Sequence, residues 1–143
     1  MDRARALAER APVRLEVKAL TFDPHPTQFV APHRAPPLLT TPARRAELLE
    51  EAGVDAVVIQ TFDRDFASLG PEEFVEQVLV QQLGAGAVVV GPDYRFGARR
   101  AGDVSLLAEL GAPFGLEVEV VPPVMLDDKA VSSSRVRRQL AQG

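Results

Sequence analysis

Three short stretches of this chain concentrate side chains able to handle a phosphorylated, aromatic ligand. In Thr21-Phe22-Asp23-Pro24-His25-Pro26 two prolines restrict the backbone on either side of one imidazole. A histidine held in that way can donate to a phosphate oxygen, and it equally suits a turn in which it satisfies a carbonyl. The stretch Gly91-Pro92-Asp93-Tyr94-Arg95-Phe96-Gly97 sets an acid, two aromatics and an arginine between glycines, and Arg99 and Arg100 follow. Tyr94 or Phe96 can stack a planar ring while Arg95 meets a phosphate, the contacts a flavin nucleotide or ATP needs. The competing reading is a surface loop with solvated arginines and Phe96 turned into the core. Finally, Val131-Ser132-Ser133-Ser134-Arg135-Val136-Arg137-Arg138 opens a helix with hydroxyls, free N–H groups and arginines one turn on, the make-up of an anion site. Arg137 lies three residues beyond Ser134 and so on the same face. The alternative there is Ser133 as an ordinary N-cap and the arginines as a solvated face.

These stretches need a scaffold, and the apolar pattern supplies one. Val13 to Phe22, Asp55 to Phe62, Ala87 to Gly91 and Leu116 to Val121 have the length of strands. The Ala87-Val-Val-Val-Gly91 run is continuous rather than alternating, as expected where both faces of a parallel sheet are covered. Between the runs lie helices. Thr41-Pro42 places a cap before a proline at the first helical position, and Leu48, Leu49 and Ala52 form a stripe that stops at Gly53. Gly70-Pro71-Glu72-Glu73 puts acids in a first turn, and Val75, Val78, Leu79 and Leu83 recur at helical spacing up to Gly84. Asp103 to Leu110 and Ser133 to Leu140 complete the set, and the Pro-rich stretch Pro32 to Pro42 reads as one ordered loop. Alternation of strand and helix predicts an α/β fold with right-handed crossovers and a mostly parallel sheet, whose ligands bind beyond the carboxyl ends of the strands.

Composition narrows the chemistry. The length suits one domain, and 46% apolar with 25% charged residues describes an ordinary globular chain. A net charge of -4 argues against nucleic-acid binding, so an anion site here must be local. There is no cysteine, and with His25 and His33 as the two imidazoles neither a disulfide framework nor a zinc site is expected. No leader-like segment and no run approaching ~18 apolar residues is present, so no membrane partner and a cytoplasmic address are expected.

Taken in order, the segments Leu20 to Pro26, Leu39-Thr40, Gly53-Val-Asp55, Phe62 to Phe66, Pro71-Glu-Glu-Phe74, Val89 to Gly97, Ala101-Gly-Asp103 and Val131 to Arg137 resemble those of the prokaryotic bifunctional riboflavin kinase/FAD synthetase family, in its N-terminal FMN adenylyltransferase module. The resemblance implies a Rossmann-like fold of the HxGH nucleotidyltransferase type, helices on both faces of the sheet, and transfer of AMP from ATP to FMN with Mg2+ as cofactor. By matched motif it places His25 and Arg137 in the catalytic machinery. Ser133, Ser134, Arg137 and Asp93 would hold the nucleotide, and Asp93, Tyr94, Arg95 and Phe96 the flavin. Position 134 is usually Thr in that motif, and Ser keeps the hydroxyl.

The front of the chain departs from the pattern. Family members begin with a strand leading into a Gly-x-Phe-Asp-Gly-x-His-x-Gly-His motif, whereas Met1-Asp-Arg-Ala-Arg-Ala-Leu-Ala-Glu resembles the helix after it. The expectation is therefore a domain spanning 1–143 without its first strand and histidine pair, and without a riboflavin kinase domain. The strands Val13 to Phe22 and Ala87 to Gly91 would then flank an empty slot, and their backbone groups must find partners. Aggregation, or pairing of those two strands directly or across a homodimer, is the expected outcome. A non-catalytic remnant that keeps a flavin or adenine-nucleotide site is the main rival function. A relative acting on nicotinamide or pantetheine nucleotides is disfavoured by the Thr-Phe-Asp-Pro-His-Pro and Pro-Asp-Tyr-Arg-Phe-Gly segments.

Overall fold

The computed structural model describes the chain from Met1 to Gly143. Helix α1 (Asp2–Arg10) leads to β1 (Lys18–Asp23), a short α2 (Pro26–Val30), α3 (Pro42–Glu51) and β2 (Ala56–Thr61). After α4 (Arg64–Ser68), α5 (Pro71–Glu73) continues into a π-helical stretch, Phe74–Gln82, and then β3 (Ala87–Val90). Helix α6 (Val104–Gly111), β4 (Glu117–Val120), a small hairpin of β5 (Met125–Leu126) and β6 (Lys129–Ala130), and α7 (Ser133–Gln142) complete the chain. Both long ladders are parallel: β1 pairs with β2 from Lys18 opposite Ala56 to Asp23 opposite Thr61, and β3 with β4 from Ala87 opposite Glu117 to Val90 opposite Val120. The α/β class and the parallel pairing therefore stand as the apolar runs predict.

Two expectations are corrected. The Val13 to Phe22 run becomes a strand only from Lys18, because the ladder with β2 begins there, just after Val17 O accepts from Asp55 N–H at 2.8 Å, and does not extend to the residues before it. More importantly, β1 and β3 do not close on each other; they belong to separate two-stranded sheets. Thr21 is the single buried residue in the four long strands, so the sheets are only partly covered, and direct pairing of β1 with β3 within one chain does not occur.

The two sheets lie side by side because helices span both. On one face Ala4 and Ala8 of α1 pack with Val17, Ala19, Val54 and Val57, while α1 also touches β3 and Arg3 pairs with Glu119 of β4. Arg5 adds a second tie, its guanidinium meeting Asp55 at 3.0 Å while the same carboxylate accepts from Val17 N–H at 2.7 Å. On the other face the π-helical stretch turns Phe74, Val75, Val78 and Leu79 inward, and Leu20 of β1 meets the same cluster as Val88 and Val90 of β3. Its wider winding is visible where Leu83 N–H bonds to Val78 O at 3.0 Å, five residues back. A cavity of about 540 Å³ opens at the amino end of the slot, lined by Leu7, Arg10, Val13, Leu15 and Gly86 among others.

Aromatic rings run beneath the carboxyl ends of the strands. Phe29, Phe62, Phe22, Phe66, Phe74, Phe96 and Tyr94 touch in succession, with ring centroids 5.5 to 6.2 Å apart. Such edge and stacked contacts add about 0.5–1.5 kcal/mol each beyond area burial. The chain of rings joins the His25 region to the 91–97 loop across the divide.

Candidate functional site

His25 sits where β1 gives way to α2, and it caps that helix. Its Nδ1 accepts from Thr27 N–H at 3.2 Å, and its own N–H donates to Gln28 Oε1 at 3.4 Å, a capping box with an imidazole in the place of a hydroxyl. An accepting Nδ1 assigns the proton of the neutral ring to Nε2, which is left to donate outward. Partial burial lowers the His25 pKa, and the positive charges of Arg137 and then Arg45 lower it further. The ring is thus held as a neutral donor among cations.

Those cations come from distant parts of the sequence. Arg137 is on α7, half-exposed, and its Nε donates to Pro37 O at 2.7 Å, tying the last helix to the Pro-rich segment. Arg138 beside it is exposed. Arg45 is on α3, and its Nη1 donates to Thr21 Oγ1 at 2.6 Å and to Phe22 O at 3.2 Å. No carboxylate lies within ion-pair distance of His25, Arg45 or Arg137. Three donors meet without a counter-charge at the carboxyl end of a parallel strand, an arrangement suited to a phosphate.

Arg45 was not singled out among the candidates from sequence. A signal was present: it lies four residues before Leu49 and seven before Ala52, in phase with the apolar stripe of α3. An arginine in that phase must reach a polar partner inside the fold.

At the start of α7 the cap is Ser132, whose Oγ accepts from Arg135 N–H at 3.2 Å. Ser133 and Ser134 therefore fall in the first turn, exposed, with hydroxyls not used for capping. Arg135 points the other way and donates to Leu126 O and Lys129 O at 2.9 and 3.0 Å, which fastens the β5–β6 hairpin to the helix. The whole segment from Pro122 onward has no buried residue.

The 91–97 loop is built differently. Phe96 is 5% exposed, exchanges backbone hydrogen bonds with Gly102 at 3.1 and 2.8 Å, and lies against Phe74. Its ring occupies the space over Gly102, where a Cβ would meet Phe96 Cζ at 2.5 Å. Phe96 accordingly offers no open face, and of the two readings of that loop the core position is the one the structure shows for this ring. Tyr94 stacks on it at 5.8 Å with planes 15° apart, and burial pushes the phenol up to about 12. Asp93 and Arg95 are exposed, Arg95 lying 3.9 Å from Asp103, which also caps α6 through Leu106 N–H at 2.9 Å. Pro92, Asp93, Arg95, Arg100, Asp103 and Ser105 line a polar pocket of about 400 Å³.

The structure thus brings His25 and Arg137 together with Arg45, and groups Asp93, Tyr94 and Arg95 on the other side of the divide. No helix is long and apolar enough to cross a membrane.

The FAD synthetase family matches residues 1–135. A bifunctional riboflavin kinase/FMN adenylyltransferase of Pseudomonas fluorescens is 40% identical over 137 residues, covering 94% of this chain and 43% of that protein. Its namesake in Escherichia coli (strain K12) is 36% identical over 127 residues, covering 89% and 41% respectively. The chain therefore spans less than half the length of these relatives. Among solved structures, one described as a macrolide-efflux protein from Streptococcus pneumoniae superposes with a TM-score of 0.74 at 28% identity, over 95% of this chain and 44% of that one.

Proposed function

Because this chain belongs to the FAD synthetase family, we propose that it binds ATP and FMN and transfers AMP between them. In that reaction an oxygen of the FMN phosphate forms a bond to the α-phosphorus of ATP, the bond to the bridging oxygen breaks, and pyrophosphate leaves with FAD as the other product. The observation that carries the reading is the cluster of His25, Arg45 and Arg137 without a carboxylate. Negative charge builds on the transferring and departing phosphates, and donors already aimed at it need no reorganisation. His25 supplies Nε2–H, Arg137 its guanidinium, and the first turn of α7 the N–H groups and hydroxyls of Ser133 and Ser134. Asp93, Tyr94 and Arg95 take the flavin side, with Phe96 backing the Tyr94 ring from within the core.

Mg2+ belongs to this reading as a companion of the ATP phosphates, whose charge it would neutralise when bound. No group of three or more His, Asp or Glu side chains converges in the structure, so these residues offer no cage of their own for the ion. On this reading residues 1–143 fold as one domain that works in the cytoplasm without a nucleic-acid partner. The open edges of β1 and β3 are the surface across which two copies would pair, and sedimentation equilibrium tests that.

The direct experiment is to incubate the chain with ATP, FMN and Mg2+ and to resolve the flavins chromatographically. FAD together with pyrophosphate is the expected result. Binding of FMN or ATP without turnover would instead favour the reading of a non-catalytic nucleotide-binding module, and loss of both would sink the two readings together.

A further inference from the structure

Arg45 is half-buried, has no carboxylate partner, and spends one nitrogen on two acceptors at the last turns of β1, the Thr21 hydroxyl and the Phe22 carbonyl. Its neighbour Arg44 differs in each respect: it is exposed and paired with Glu47 at 2.8 Å and Glu51 at 3.4 Å. An arginine left without an acid inside a fold that carries 20 acidic side chains is a charge kept for something else. Three residues after Phe22 the chain reaches His25, so whatever fixes the end of β1 also sets where the imidazole projects. Resting on the reading of this cluster as a phosphate site, we propose that Arg45 is its positioning residue, pinning the carboxyl end of β1 and holding a positive field over His25 that an incoming polyphosphate neutralises.

The physical logic has two parts that can be separated. The grip is geometric, because a planar guanidinium can serve hydroxyl and carbonyl from one side while its remaining N–H groups stay available. The field is electrostatic, and the charged groups acting on His25 from the elements packed around it are Arg137 of α7 and Arg45 of α3. With Arg45 in place the ring stays neutral and donates through Nε2. Without it the imidazole takes up a proton more readily, while the strand end loses its anchor.

The test uses the whole chain, inorganic tripolyphosphate as probe, and nuclear magnetic resonance titration of the His25 ring, with His33 as the exposed internal control. Arg45→Met should raise the His25 pKa toward its ordinary value and weaken tripolyphosphate by about tenfold or more, while Arg44→Met changes neither. Arg45→Lys should keep the lowered pKa, since the charge remains, yet recover only part of the affinity because an ammonium cannot reproduce the planar grip. An Arg45→Met chain that melts like the parent but shows an unchanged His25 titration and unchanged affinity would overturn the proposal. Should Arg45→Met fail to fold, Arg45→Lys decides: a wild-type affinity overturns the positioning role, and a reduced affinity with His25 titrating as in the parent supports it. Both readouts are independent of FAD formation, so a chain that fails to turn over leaves this inference testable, and a failed inference leaves the adenylyl transfer reading standing.

Discussion

The two halves of this molecule are packed to different depths. Around β3 and β4 a cluster of seven buried side chains gathers, from Phe74 and Val75 to Leu116, with Leu107 fully enclosed. Around β1 and β2 the corresponding cluster is Ala8, Val17 and Val54. The chemistry is distributed in the opposite sense, with the neutral His25 donor and the guanidinium groups of Arg45 and Arg137, neither paired with an acid, gathered at the thinly packed half, whereas in the 91–105 loop Arg95 has Asp103 at 3.9 Å. One half holds the fold together, and the other, anchored to it by α1 and the run of phenylalanines, can present groups whose charges are left unsatisfied.

The comparison breaks most readily in the core. Leu107→Ala should cost about 2–5 kcal/mol in a urea unfolding experiment, whereas the chemically identical Leu49→Ala, in the half-buried stripe of α3, should cost clearly less. Equal losses would show that both halves share the load. Next comes the anion site. Arg137→Ala should weaken ATP about tenfold or more by isothermal titration at fixed salt, the value of a charge-assisted hydrogen bond of about 1.5–3 kcal/mol, while Arg138→Ala should have little effect because that side chain is exposed and turned away. Equal effects of the two would remove Arg137 from the site.

A third change sharpens the contrast from the other side. Gly102→Ala forces a methyl against the Phe96 ring and should destabilise the chain by about 1–3 kcal/mol, yet leave tripolyphosphate affinity at the His25 cluster nearly intact in the fraction that stays folded. If the anion affinity fell in step with stability, the two halves would not be separable. The smallest effect is on pH dependence. His25 has a folded pKa below its ordinary value of 6.5, so its contribution to stability is fully present above that value and declines as pH falls through it, levelling off below the folded pKa. His25→Gln should flatten that part of the stability profile measured by thermal melts between pH 5 and pH 8, a window about the ordinary histidine value. Polyphosphate acts in the opposite direction, since a bound anion favours the protonated ring, and its affinity should rise as pH falls.

Much of this architecture was legible from the chain itself. Continuous apolar runs such as Ala87-Val-Val-Val and capped helices such as Thr41-Pro42 report local preferences, and these elements occur close to where spacing puts them. The ordered motifs placed the family, and the face of α7 that carries Arg137 rather than Arg138 follows from helical periodicity. Local rules could not say that Phe96 would be spent on the core, because an aromatic between glycines fits both a pocket wall and a buried plug; the decision came from Phe74 and from the space over Gly102. Nor could they say which serine caps the last helix, since three in a row differ only in how the preceding hairpin aims the backbone. Nor could they say whether β1 and β3 would pair within one chain, because which strand edges come within reach of each other is a property of the assembled helices and sheets. Arg45 joined the site for the same kind of reason. Its helical phase was written in the sequence, but the strand end it meets lies 24 residues away along the chain, and only the packing of α3 beside β1 puts the two together.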